Sequence, residues 1–597
     1  MNHLHLSRRA FSASLATSLV LGPVASRAAA TTSTTARINK LADDYYHARL
    51  ALFPMDATEN YGDPKYEAAF EIDIAPAHLE RQRRLYQRVL AGIRAIDPKS
   101  LDADARLTYD LLAFDVQDQL ATMAYPRHLM PVGHMGSMPV RLSQYASGSA
   151  AQPMKTAANY DHFLARLRKL PAWITQAMAN MEQGIARGIV LPRELVERTL
   201  PQLEALVPQD PLASPYLAAT RGFPEGVREA DRRRITAAYR DVVLNSVAPA
   251  VQKLRTFMTQ RYLPNARATA GIGALPGGAQ WYPMLVRSST TTTMGAAEIH
   301  ELGLKEVARI RAEMEGVKTR FGFKGDLDAF FKSLDDRPEL TPFRSEEEVL
   351  AAFRAINEKV KAGLPRLFER APKAALEIRA VDPIQRDTAS DNYVAPASDG
   401  SRPGVYYAVV IDPLKHRTVR MTSLFLHEGQ PGHHYQIALQ RESAKTPYRQ
   451  AAWYDAYGEG WALYAEGLGR ELGLYDDPAA YLGRLLMELH RALRLVVDTG
   501  LHDKGWTREY AIKYLMEKEG TLEREARAAI ERYMAWPGQA LAYKVGELKI
   551  LQLRERARQA MGNRFDIRAF HNQVLDKGCM PLSMLEAKID RWIAAPG

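Results

Sequence analysis

His427-Glu428-Gly429-Gln430-Pro431-Gly432-His433-His434 gathers three imidazoles and a carboxylate within eight residues. Imidazole nitrogens bind transition metals, and a carboxylate beside them can take a proton from water that a metal has acidified. In the pattern His-Glu-x-x-His, two histidines one helical turn apart hold zinc and the Glu is the general base. Here the fourth position after His427 is Pro431, which has no ligating atom. The next histidines stand six and seven residues on. On an undistorted helix seven residues span about 10.5 Å, too far for two imidazoles to share one cation. Pro removes a ladder hydrogen bond and Gly permits unusual torsions. A break at Pro431-Gly432 is therefore expected to return either His433 or His434 to the metal. The other is left to orient a ligand or touch substrate. His300-Glu301 opens a similar pair, but Leu304 stands where a ligand belongs, and the pair reads as ordinary helix surface.

A second segment, Gly458-Glu459-Gly460-Trp461-Ala462-Leu463-Tyr464-Ala465-Glu466, begins its acids 25 residues past His434. In one large class of zincins the third ligand is a Glu on a following helix, and Glu459 fits that role. Glu466 lies two turns further along nearly the same face. It reads either as a carboxylate that orients a histidine or as a solvated helix acid. Tyr543, in Pro537-Gly538-Gln539-Ala540-Leu541-Ala542-Tyr543, reads as a donor to the oxyanion of a tetrahedral intermediate or as a core tyrosine. Asp498 and His502, four apart, share one helical face. They are expected to form an orienting carboxylate–imidazole pair, to contact substrate, or to pair on the helix surface.

These motifs carry a resemblance. Gly458-Glu459-Gly460-Trp461-Ala462 resembles the third-ligand segment of the gluzincin aminopeptidases. His427-Glu428-x-x-Pro431-Gly432-His433-His434, taken with Glu459-Gly460-Trp461-Ala462, resembles the bacterial family catalogued as domain of unknown function 885, which is grouped with zinc metallopeptidases of the His-Glu type. Ala274 to Thr293, Glu298 to Gly303, Pro537 to Tyr543 and Gly578 to Trp592 match the habit of that family, so the resemblance spans nearly the whole mature chain. It implies a mostly helical, two-lobed peptidase with a deep central cleft and one zinc ion.

The expected activity is metal-assisted hydrolysis of peptides. Zinc is held by His427, one of His433 or His434, and Glu459, with the fourth position open. Glu428 takes the proton of the attacking water and passes it to the leaving amine. Tyr543 helps polarise the scissile carbonyl. Two alternatives use the same residues. One is a zinc hydrolase of a non-peptide amide or ester, and the other is an exported, non-catalytic protein that binds metal or peptide. A serine hydrolase is disfavoured, because no Gly-x-Ser-x-Gly elbow occurs.

The elements that must position these residues are mostly helices. Over Ala36–Gln260 apolar residues recur at three- and four-residue spacing, as in Leu85, Val89 and Ile93 or Leu107, Leu111 and Leu112. Pro98, Pro126, Pro192, Pro208 and Pro224 punctuate them. Gly and Pro crowd between Leu263 and Thr293, which reads as a loop-rich junction with a domain boundary near residue 265. That boundary separates an N-terminal helical region, 31–265, from a catalytic region, 266–597. Val405–Ile411 is β-branched and aromatic and reads as the small β element ahead of the His-Glu helix, either a core strand or an edge that pairs with extended peptide.

Composition narrows the function classes. The 597 residues carry 79 Lys and Arg against 69 Asp and Glu, with no basic block interleaved with aromatics, so nucleic acid is excluded as a partner. The single cysteine, Cys579, excludes a disulfide framework and a Cys-rich zinc ribbon. Ser7-Arg8-Arg9-Ala10-Phe11, an apolar stretch to Val24 and Ala28-Ala29-Ala30 read as a signal peptide over residues 1–30, resembling the twin-arginine type. The expected location is the periplasm or beyond. No later stretch is long and apolar enough to stay in a membrane.

Overall fold

The computed structural model describes residues 22–147, 151–334, 336–382, 386, 390–397 and 402–595. Residues 1–21 of the expected signal segment lie outside the described residues. The chain is about 70% helix and 3% strand, in keeping with the periodicity of its apolar residues. Leu85, Val89 and Ile93 bury one face of Pro76–Arg94, and Leu111, Leu112 and Val116 do so on Ala103–Thr122. None of the helices among the described residues is long and apolar enough to cross a membrane.

Among the described residues the apolar interior forms three large clusters. The first joins the early helices, from Ile38 to Tyr125, to residues between Ile272 and Ile589. A second runs mainly from Val132 to Tyr262, so the expected boundary near 265 falls just after its last buried residue. A third is built mainly from Val307 to Ala540, around the long helix Pro478–His502. The glycine-rich junction is more regular than its composition implies. Gly278–Thr290 is helical, because Tyr282, Leu285 and Val286 fall on one face and bury together. Packing here overrides the weak helix propensity of the Ser and Thr run.

Among the described residues the sheet has three strands, β1 (Leu376–Ala380), β2 (Asn392–Val394) and β3 (Gly404–Ala408), in the order β1-β3-β2. β3 runs parallel to β1, with Leu376 opposite Gly404, and antiparallel to β2, with Tyr393 opposite Tyr406. Both edges of β3 are therefore occupied, and the expectation that Val405–Ile411 offers an edge to peptide is corrected. The strand is a core strand that stops at Ala408. Its Tyr406 is fully buried between Phe353 and Phe425, with ring centroids 5.2 and 6.1 Å away. Phe425 belongs to the helix Met421–Glu428, so the sheet braces the element that carries the His-Glu pair.

His300 is also corrected. It is not helix surface but 5% exposed, with Nδ1 2.7 Å from the Thr499 hydroxyl. Gly303, one turn on, lets the helix Ala296–Arg320 meet Pro478–His502 closely. A Cβ there would lie 2.7 Å from that of Leu495. His300 therefore fills a helix–helix seam.

Candidate metal centre

The helix bearing His427 ends at Glu428, and a new helix, His433–Ser443, starts after a gap of four residues. The break between them contains a cis Gln430–Pro431 bond. Its closeness depends on Gly432, where a Cβ would fall 2.0 Å from the His427 carbonyl oxygen and 2.3 Å from that of Leu426. The Trp461 indole donates to the Pro431 carbonyl at 2.8 Å, and the Gln430 amide donates to buried Asn357 at 2.6 Å. The chain is thereby turned back on itself, which a continuous helix does not allow.

The turn brings His433, not His434, to His427. Ligand atoms of His427, His433 and Glu459 all lie within 4.8 Å of one another. The Nε2 atoms of both imidazoles are 3.5 Å from the same oxygen, Oε2 of Glu459. Their rings meet edge to face with centroids 4.9 Å apart. Glu459 comes from the helix Asp455–Gly467, as its place after the break led one to expect. His434 is corrected as a metal ligand. Adjacent residues on a helix point about 100° apart, and its Nδ1 lies 3.0 Å from the Tyr393 hydroxyl in β2. Burial there pushes its pKa down to about 4.

Glu466 orients His427. Its Oε1 is 2.8 Å from His427 Nδ1, and its Oε2 accepts from the Ser423 hydroxyl at 2.5 Å. It is 1% exposed, so the solvated-acid reading is excluded. Burial favours its neutral form, but the Arg491 charge and the His427 imidazole outweigh that and hold its carboxyl below the usual range. Burial likewise opposes charge on Glu459, and the two imidazoles beside it overcome this and hold it well below the carboxylate range. His427 shows the converse. Burial opposes its charged form, yet the Glu459 and Glu466 carboxylates on either side raise its pKa to about 9. Such a site, two imidazole nitrogens and one carboxylate with a second carboxylate behind a histidine, fits a borderline divalent cation of the zinc type.

Glu428 differs from Glu459. Burial raises its pKa, and although His433, His427 and Arg491 pull the other way, the net shift is upward. An acid shifted towards neutrality is suited to gaining and losing a proton. Asp391, which sequence reasoning missed, lies within electrostatic reach of Glu428. Burial raises Asp391 to about 6, although it accepts from the Tyr406 hydroxyl at 2.9 Å. No motif marks it, since it reaches the site through the sheet.

Tyr543 is half-buried, and both burial and the charge of Glu459 raise its pKa, so it remains a phenol that can donate. Its helix, Ala542–Met561, meets the Glu459 helix at paired glycines, where a Cβ on Gly460 would sit 2.5 Å from the Gly546 Cα. Arg494 stacks on the Tyr543 ring, 4.4 Å from its centroid. Arg491 and Arg494 were also missed. The only signal was a polar stripe at three- and four-residue spacing on an otherwise apolar helix.

Asp498 and His502 are corrected. They neither pair with each other nor reach the ligand cluster. Asp498 accepts from the Tyr282 hydroxyl at 2.7 Å and from the Gly538 amide at 3.0 Å, and burial raises its pKa to about 7. His502 accepts the Ile272 amide on Nδ1 at 3.1 Å and places Nε2 3.0 Å from the Tyr533 carbonyl. Burial lowers its pKa to about 3. Both tie the junction and the Pro537-Gly538 turn to the long helix, and so hold the segment that carries Tyr543.

Residues 54–589 match the family described as "Bacterial protein of unknown function (DUF885)". The chain belongs to that family. It is similar to the crystal structure of "the putative lipoprotein from Colwellia psychrerythraea", with 29% identity, a TM-score of 0.85, and coverage of 94% of this chain and 99% of that one. A second solved structure, from Shewanella oneidensis and described as "a putative lipoprotein of unknown function", is 19% identical with a TM-score of 0.73, covering 92% of this chain and 99% of that one, and shares the fold. No curated protein matches the chain.

Proposed function

We propose that this member of the DUF885 family is a metal-dependent peptidase. The observation that carries the reading is the convergence of His427, His433 and Glu459 across a broken helix, with Glu428 alongside. A merely structural metal site does not need a free, upshifted Glu next to its ligands. His427, His433 and Glu459 would hold one zinc ion. A cation held there supplies Lewis-acid polarisation and makes water acidic near neutral pH. Glu466 keeps His427 in the tautomer that presents Nε2. Glu428 takes the proton of the attacking water and returns it to the departing amine, which leaves as a neutral group. Tyr543 donates to the oxygen on which negative charge develops. The two-lobed, cleft-bearing zincin architecture belongs to the same reading. So does export. Arg8-Arg9 before an apolar stretch reads as a twin-arginine signal, and the two solved structures are each described as a "putative lipoprotein". We place the enzyme in the periplasm or beyond, acting on peptides.

The test is Glu428→Gln. The variant should bind zinc at the wild-type stoichiometry while peptide turnover falls by about 10²- to 10⁴-fold. Full turnover in this variant would falsify the assignment.

A further inference from the structure

The long helix Pro478–His502 presents Arg491 and Arg494, one turn apart, beside the metal-ligand cluster. Arg491 is tied to its own helix and to Glu466: its Nη1 donates to the Met487 carbonyl at 3.1 Å and its Nη2 is 3.9 Å from Glu466, although its buried Nε has no partner among the described residues. Arg494 instead lies against Tyr543. Its Nε donates to the Tyr533 hydroxyl at 3.2 Å, and its plane lies over the Tyr543 ring. Among the described residues its Nη1 is buried with no hydrogen-bond partner. It feels the charge of Glu459, but His427 and His433 already claim that carboxylate.

A buried guanidinium nitrogen without an acceptor is costly to leave unpaired. The guanidinium is also held rigid, by a ring on its face and a hydroxyl on its Nε. That leaves its free edge preorganised for a planar anion, which Arg binds in bidentate fashion. Tyr543, the ring that it stacks on, is the residue assigned to the reacting carbonyl. An anion on Arg494 would thus lie within a short reach of the scissile bond.

We propose that Arg494 is the anchor for a carboxylate of the substrate. This rests on the peptidase reading above. The two sources of that chemistry are the α-carboxylate of a peptide, which makes the enzyme cut near the carboxyl end, and an acidic side chain beside the scissile bond.

The experiment is calorimetric binding to the zinc-loaded mature chain carrying Glu428→Gln. Three probes are compared: an N-acetylated tetra-alanine with a free carboxyl end, its amide, and an amide with one Ala replaced by Glu. The free acid is expected to bind about 10- to 100-fold more tightly than the plain amide, as a charge-assisted pair implies. A preference for the Glu-containing amide instead supports the anchor and assigns its source to the side chain. Arg494→Gln, added to the same background, should abolish whichever preference is seen, and Arg494→Lys should restore part of it. Equal binding of all three probes overturns the anchor, and this comparison needs no Arg494 variant to fold. Hydrolysis of the free acid by the wild-type chain is measured in parallel. A carboxylate preference without any hydrolysis keeps the anchor and removes the peptidase reading.

Discussion

At the scale of residues, the site turns on which groups hold protons. His427 sits between two carboxylates with a pKa of about 9, above the ~6.5 of an unfolded chain. For a group raised in this way, the stabilisation is complete below ~6.5 and is lost as pH rises through 9. Thermal unfolding of the metal-free protein should therefore show stability falling between pH 6.5 and 9. Zinc must displace that proton, so zinc affinity should rise over the same interval, and titration at pH 7.5 should release close to one proton from His427. A zinc affinity flat from pH 6.5 to 9 contradicts this. Replacing Glu466 by Ala leaves His427 unoriented and should weaken zinc binding by about 10- to 100-fold, read by competition with a chelating dye. Much of this chemistry was legible in the sequence. The His-Glu pair follows from spacing and residue type and Glu459 from its likeness to the third-ligand segment of zincins, while for Glu466 the sequence left an orienting carboxylate and a solvated helix acid both open. The choice of His433 over His434 was not legible, because one residue rotates a side chain by about 100° and the path through Gly429–Gly432 is set by tertiary contacts to Trp461 and Asn357.

At the scale of elements, the decisive feature is an interruption. Gly432→Ala puts a methyl group against two carbonyl oxygens of the preceding helix. The break must then open, and His433 should leave the cluster. Zinc content of the purified variant should fall to a small fraction of one ion per chain while the helical circular dichroism is kept. Behind the site, Lys544 is fully buried among Glu306, Glu488 and Glu547, at 3.0, 2.6 and 2.6 Å. This network anchors the helix of Tyr543 to its neighbours. Arg309 and Arg484 also pair with these carboxylates, so Lys544→Met removes one cation of a shared network and should cost about 1–3 kcal/mol, measured by denaturant unfolding. Sequence reading found the helices themselves because their apolar faces are periodic. It misjudged Gly278–Thr290, where Gly and Thr read as loop, and the status of β3, since strand order is a non-local property. Asp498 and His502 misled for a related reason. Spacing on a helix fixes a face but not what that face meets, and theirs meets the Ile272 and Gly538 backbone.

At the scale of the whole molecule, the centre joins elements far apart in the chain. His427 and His433 flank the helix break, Glu459 follows on another helix, and Tyr543 arrives from the last quarter of the sequence. Each is held by the cluster that links the early helices to the C-terminal ones. An ion held across these helices, as proposed, would bind only the folded state. Saturating zinc at 100 times its Kd should therefore add about 2.7 kcal/mol to stability, and chelation should lower the midpoint of thermal unfolding. The most direct test of the account is zinc stoichiometry, by plasma emission spectroscopy, of the purified mature chain and its single alanine variants. One ion per chain is expected in the wild type and in His434→Ala, and close to none in His427→Ala, His433→Ala and Glu459→Ala. Zinc retained in His433→Ala but lost in His434→Ala, or no zinc bound by the wild type at all, contradicts it.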